Sequence, residues 1–384
     1  MIPVQKMTIE KSASVLIRVD YNVPLKNGKV VDVRRIESSF KTIDAVLKKG
    51  GVPILIAHLG DATETLHPVA NILSKHYNTV FITNDLTDTR THEIISTVPS
   101  NTVILFENIR RYEGEEKNDK AFARLLSSYG DVYVNDAFSV SHRKHASIVE
   151  LPKLLPSYAG VQLQTEIKSL SAVVDSQKSP FLFILGGAKF STKIPLLKKY
   201  ALKADSIVIG GAILNNFYKA AGFPVGDSVV EEGYDKEIKP LLKNPKLLLP
   251  VDVVVLRPSN AFATKSKGKK VVLTPDEIQD GDVITDIGPQ SAGLINEKIQ
   301  KAKLVVWNGP MGWYEKGFTN GTVTLAQSIA QSKAATIIGG GDTGAAIESV
   351  LDGATNKKIF VSTGGGATLD YLANGTLPGI KALG

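Results

Sequence analysis

The chain has 384 residues, is 43% hydrophobic and 22% charged, carries a formal net charge of +7 and contains no cysteine. That composition suits an ordinary globular protein of two or three domains, and it excludes disulfides, thiolate metal sites and cysteine nucleophiles. The positive excess points to anionic partners. Nucleic acid is a poor candidate: the one dense basic run, KSKGKK at 265–270, has no aromatic residues to stack on bases and reads as a solvated loop. The opening MIPVQKMTIEKS lacks a signal-like apolar run, and no stretch reaches the ~20 apolar residues of a membrane span. The expectation is a cytoplasmic protein with no membrane partner.

In chain order, short apolar runs alternate with segments of helical period. Strands are predicted at 14–19, 51–57, 79–83, 102–106 and 131–134, and helices at 33–49, 67–77 and 118–129, the last with Asn118 as its cap. The two prolines of LPKLLPSY (151–158) precede a long helical pattern at 162–175. The strand pattern then restarts at 181–185, 206–209, 304–307, 336–338 and 359–361. A further strand region at 247–256 is interrupted by Pro250, and helices are predicted at 193–204, 291–302 and 323–333. This alternation implies an α/β protein: two doubly wound, Rossmann-like parallel-sheet domains with helices on both faces.

Five strands of the second half run into glycine, at Gly186-Gly187-Ala188-Lys189, Gly210-Gly211-Ala212, Asn308-Gly309-Pro310, Gly339-Gly340-Gly341-Asp342-Thr343 and Gly364-Gly365-Gly366. Such turns lie at the carboxyl edge of a parallel sheet, where ligands bind, and helix N-termini there favour phosphate. A single turn of this kind is equally a packing device; five together point to a nucleotide. GxxxxGK[ST] is not present. Lys189 and Lys193, four apart, are expected on one face of a helix start, where they could grip a phosphoryl group or simply be solvated. Asp342 suits either a Mg²⁺ ligand or a helix cap.

In the first half, Asp20, Asn22, His58, Arg110 and Arg143 follow strand ends, with Arg35 early in the first helix. Arginines grouped at one sheet edge suggest a small polyanion. His142 and His145 have a spacing that metal ligands also use, though Arg143 and Lys144 stand between them.

The segments RVDYNVP (18–24), ENIRRYEGEEKND (107–119), VNDAFSVSHRKHAS (134–147), GGAKFSTKI (186–194), WNGPMGWYE (307–315), GGGDTGAAI (339–347) and STGGGATLDYLANGTLPGI (362–380) together resemble the phosphoglycerate kinase family, in its order and over nearly the whole chain. The resemblance implies phosphoryl transfer between 1,3-bisphosphoglycerate and ADP, giving 3-phosphoglycerate and ATP, with Mg²⁺ and with a cleft between the domains that closes for transfer. It implies that Asp20, Asn22, Arg35, His58, Arg110 and Arg143 hold 3-phosphoglycerate. Gly187, Ala188, Lys189, Lys193, Gly211, Asn308, Pro310, Glu315, Gly340, Gly341, Asp342 and Thr343 would hold the nucleotide, with Glu315 at the ribose and Asp342 on Mg²⁺. Arg35 and Lys193 would clamp the moving group. The implied domains are 1–158 with a returning tail from about 370, a connecting helix at 159–176, and 177–369; a monomer is the expectation. Three departures stand out. The family's HLGRP is His58-Leu59-Gly60-Asp61-Ala62 here, followed by a shorter loop. NLRF becomes Asn108-Ile109-Arg110-Arg111, and GGGMA becomes Gly210-Gly211-Ala212-Ile213-Leu214.

Overall fold

The structure is a computed structural model that describes residues 1–174, 178–258, 268–340, 343, 344, 347, 350, 351 and 354–384. The chain divides into two compact units. One comprises Met1–Lys168 together with Asn374–Gly384, and the other Ser169–Ala373.

In the first unit, β1 (Ser14–Arg18), β2 (Val52–Ile56), β3 (Asn78–Ile82), β4 (Thr102–Phe106), β5 (Val132–Asn135) and β6 (Ser157–Ala159) form a parallel sheet in the order β3-β4-β2-β1-β5-β6. β1 lies at its centre, with Val15 opposite Pro53 on one side and Val132 on the other. β2 and β4 are buried at every position, as strands covered on both faces must be. Val15, Ile17, Ile43, Val46, Leu55 and Leu73 share one core, each contributing roughly 1.5–3 kcal/mol by leaving water. The tail returns to this unit: Gly379 N–H donates to Ser141 O at 2.8 Å, and a Cβ at Gly379 would stand 2.8 Å from Ile148 Cγ2.

In the second unit, β7 (Phe181–Leu185), β8 (Ser206–Ile209) and β9 (Leu247–Leu248) precede β10 (Val253–Arg257), β11 (Lys269–Leu273) and β12 (Val283–Ile287). β13 (Leu304–Asn308), β14 (Ala335–Gly339) and β15 (Ile359–Val361) follow. The main parallel sheet runs β9-β8-β7-β13-β14-β15, and β11-β10-β12 form a small antiparallel sheet. Helices Ile194–Lys203, Ile213–Ala221 and Asn320–Gln331 follow strand ends or cover the sheet. Its core contains Leu182, Ile184, Val305, Trp307, Leu325 and Ile329.

Several expectations change. The region 247–256 is two strands in two sheets, because Pro250 cannot donate to a ladder and the chain leaves the large sheet there. The predicted helix 33–49 is Arg34–Ser38 and Phe40–Lys48. Ser39 Oγ, at the break, donates to Ile36 O at 2.7 Å and meets Tyr21 Oη at 2.9 Å, so it competes with the helix ladder. Asp119, not Asn118, caps Lys120–Ser127, accepting from Phe122 N–H at 2.7 Å. The proline-containing stretch before the long helix Val161–Val174 supplies β6. Of the basic run, residues 265–267 fall outside the described residues, whereas Lys269 and Lys270 open β11 rather than a loop. No described helix is long and apolar enough to cross a membrane.

Candidate functional site

At the carboxyl edge of the first sheet four of the expected polar residues, Asp20, Asn22, Arg35 and Arg110, form one connected group. Arg35 Nη1 stands 3.1 Å from Asp20 Oδ2 and donates to Asn22 O at 2.9 Å. Ser139 Oγ also donates to Asp20. Asn22 Oδ1 accepts from Gly60 N–H at 2.9 Å, and Gly60 O accepts from Arg110. Arg110 pairs with Glu116 as well, Nε to Oε1 at 3.1 Å. His58 is buried. Burial, then the nearby Arg18, Arg110, Arg143 and His145, push its imidazole far below the usual range, so it is neutral.

The layer beneath was not anticipated. Arg18, the last residue of β1, is 1% exposed, donates to Ser147 Oγ at 2.9 Å and lies 3.8 Å from Glu115 Oε1. Glu115 is also buried and accepts from Ser147 N–H at 2.9 Å and Ser147 Oγ at 2.6 Å; burial nonetheless pushes its carboxyl up. His145 Nδ1 is 3.8 Å from the same carboxylate, and burial, then Arg18 and Arg143, lower it to about 4. An arginine inside a run as apolar as SVLIRV was the available signal, since a cation is buried only when paired. Among the described residues no three His, Asp or Glu side chains converge to hold a metal.

Arg34 pairs with Asp32, Nε to Oδ1 at 2.9 Å, and Arg111 with Glu107, Nη2 to Oε1 at 2.8 Å. Asp61 is exposed. Its Oδ1 accepts from Thr63 N–H at 2.8 Å and Thr63 Oγ1 at 2.6 Å, which hold its carboxyl below the ordinary value.

The second unit has a cavity of about 600 Å³ at its strand ends. Its lining includes Gly187, Ala188, Lys189, Lys193, Gly211, Asn308, Pro310, Glu315, Gly340 and Thr343. Gly341 and Asp342 lie outside the described residues. The glycines interlock. Gly187 N–H donates to Pro310 O at 2.9 Å and Gly211 N–H to Met311 O at 2.9 Å, so these amides are committed to backbone, not offered to a ligand. Gly211 has φ +61°, and a Cβ there would meet Gly187 N at 2.4 Å. The tight contact of the strand ends thus requires glycine.

Lys189 and Lys193 both face this cavity, but not through helical spacing. The helix begins at Ile194, with Pro195 in its first turn, and Lys189 lies in the preceding turn. Lys193 Nζ donates to Asn308 Oδ1. Asn308 is 2% exposed, and its Nδ2 is a buried donor with no partner among the described residues, a group that suits an anionic oxygen. Thr343 Oγ1 accepts from Gly309 N–H at 3.1 Å. Leu214, Val229, Val283, Ile284 and Met311 give the lining an apolar part, as a flat heterocycle would require. Sequence reasoning missed Val283, Ile284 and Asp286 because β12 itself was not expected. Asp286 accepts from Gly321 N–H and Ile287 N–H, each at 2.9 Å, yet burial raises its carboxyl to about 6.

Two parallel α/β units, one with arginines at its strand ends and one with a glycine-packed, lysine-bearing cavity, define a doubly wound protein built for anionic ligands. The phosphoglycerate kinase family model matches residues 4–375. The chain is 40% identical over 386 residues to a phosphoglycerate kinase of Dictyoglomus turgidum, covering 97% of this chain and 96% of that one. It is 39% identical over 399 residues to one from Clostridium tetani, with 98% of each covered. Among solved structures, phosphoglycerate kinase from Coxiella burnetii matches at TM-score 0.81 and 33% identity, over 98% of this chain and 97% of the other. The enzyme from Pyrococcus horikoshii matches at TM-score 0.84 and 29% identity, over 100% and 98%. The chain belongs to the phosphoglycerate kinase family.

Proposed function

We infer that this chain catalyses its family's reaction: reversible phosphoryl transfer from 1,3-bisphosphoglycerate to ADP, giving 3-phosphoglycerate and ATP, a step of glycolysis and gluconeogenesis. The observation that carries this reading is the 600 Å³ cavity. It combines an apolar end with Lys189, Lys193 and the unpartnered Asn308 amide at its polar end. The nucleotide is proposed to place its base against Leu214, Val283 and Met311, its ribose near Glu315, and its phosphates by Lys193, Asn308 and Thr343.

The acyl-phosphate partner is proposed to bind at the other unit's sheet edge. Arg35, Arg110 and Arg143 there offer cations, and Asn22 and His58 N–H donors, to a carboxylate and a phosphate, while Asp20 is proposed to accept from the substrate hydroxyl. An acyl phosphate already has a good leaving group, so little proton transfer is needed; the residues position two anions and stabilise charge on the moving group. Arg35 and Lys193 are the proposed clamp, and the two phosphate ends must be brought together, by hinge bending, before transfer. Mg²⁺ would neutralise phosphate charge. The described groups at the polar end, Lys193 and Asn308 Nδ2, are donors that fit phosphate oxygen and not a cation. The metal is therefore proposed to enter on the nucleotide, with Asp342 as its protein ligand. A cytoplasmic monomer is the form proposed to act.

A coupled assay tests this. With ATP and 3-phosphoglycerate together, NADH oxidation through a dehydrogenase for the acyl phosphate is expected; omitting either should abolish it. Turnover with a different small carboxylate only would replace the substrate, and nucleotide binding without turnover would make the chain a non-catalytic binder.

A further inference from the structure

The loop 59–64 delivers Gly60 to both Asn22 and Arg110. One side chain holds it. Asn108 is fully buried at the end of β4. Its Nδ2 donates to Leu59 O at 2.7 Å, Asp61 O at 2.7 Å and Glu64 O at 3.1 Å. Its Oδ1 accepts from Arg110 N–H at 3.1 Å and Leu59 N–H at 3.4 Å. Every partner is a backbone group of known polarity, so the amide has one possible orientation. The same side chain therefore caps the turn Ile109–Arg111 and ties down the loop that receives the Arg110 guanidinium.

We propose that Asn108 is a positioning residue for the phosphoglycerate site, setting Gly60, Asn22 and Arg110 in register through three carbonyls of loop 59–64. The proposal rests on the function inferred above. Asn108 touches no substrate; it acts through Arg110 and the loop. Its donor half and its acceptor half have separable jobs. The acceptor half, which caps the turn, is kept by aspartate and partly by serine. The donor half, which holds the loop, is replaced in aspartate by an oxygen facing three carbonyls, and in serine by a single O–H on a shorter side chain that cannot serve all three.

The test uses the full chain with Asn108→Asp and Asn108→Ser. Steady-state assays vary 3-phosphoglycerate and ATP separately, and hydrogen exchange is read at the amides of 59–64. The expected result is a KM for 3-phosphoglycerate raised tenfold or more in both variants, a KM for ATP within twofold of the parent, and exchange at 59–64 accelerated at least tenfold. Serine folds without the aspartate's repulsion, so it keeps the test open if aspartate unfolds the chain. A phosphoglycerate KM within twofold of the parent in the serine variant would overturn the proposal, as would equal rises in both KM values, which mark general loosening. A parent with no phosphoglycerate-dependent turnover would instead sink the functional reading, and unchanged exchange at 59–64 would then overturn the tether on its own.

Discussion

Arg18 Nη2 lies 3.3 Å from His58 Nδ1, and both residues are buried. A guanidinium can only donate, so Nδ1 is the acceptor and the imidazole proton sits on Nε2. His58 is thereby held as a neutral donor, ready for an anionic oxygen without carrying charge.

It follows that His58 stays neutral from pH 5.5 to 8. Nitrogen-15 correlation spectra of the imidazole should show a protonated Nε2 and no titration; a midpoint above about pH 6 would remove the Arg18 constraint. The linkage has a definite sign. The folded pKa lies below the ordinary value of about 6.5, so the unfolded chain binds the proton first. His58 therefore subtracts stability as pH falls below about 6.5 and subtracts none above it.

Lys193→Ala should lower turnover on the order of 10²–10³, by analogy with a lost oxyanion donor, while ADP binding changes much less. A clamp on the moving group acts chiefly in the transition state. Calorimetry for ADP and steady-state rates separate the two effects. Near-native turnover would take Lys193 out of the mechanism.

Asp61→Arg should change the KM for 3-phosphoglycerate by less than about threefold, under 1 kcal/mol. The carboxylate is exposed and occupied by Thr63 in its own loop. A tenfold or greater drop in KM would show that Asp61 faces the substrate, and would favour a natural acid of lower negative charge.

Gly211→Ala and Gly222→Ala both place a side chain at positive φ, +61° and +90°, costing about 1–2 kcal/mol each. Only Gly211 adds a backbone collision, 2.4 Å from Gly187 N, whereas nothing lies within 4 Å at Gly222. Urea unfolding should therefore show a clearly larger loss for Gly211→Ala. Equal losses would mean that the strand ends are not locked together.

The sheets were readable because runs such as TVILF and FLFIL are apolar on both faces, a pattern that fully buried parallel strands require. Helix Thr89–Thr97 was missed: TRTHEIIST is rich in β-branched residues, and its start depends on Asp88 accepting from Arg90 N–H. The small antiparallel sheet was missed because its central strand continues the apolar run that begins in the large one. Charged residues at strand ends pointed to the proposed binding edges. Arg18 was passed over although an arginine inside an apolar strand is itself a signal, and Asn108 looks like an ordinary turn residue. Their roles come from partners far away in sequence, Glu115 and the carbonyls of 59–64.

The return of Asn374–Gly384 to the first unit has a consequence for biosynthesis. A ribosome releases the chain in order, so Ser141 and Ile148 emerge long before Gly379 exists to cover them. At roughly 5–20 residues per second, the whole second unit must be translated first, a delay on the order of ten seconds or more. During that interval the early half is a nearly finished object with one face unsealed. Its last backbone pairing closes only after translation of the later half.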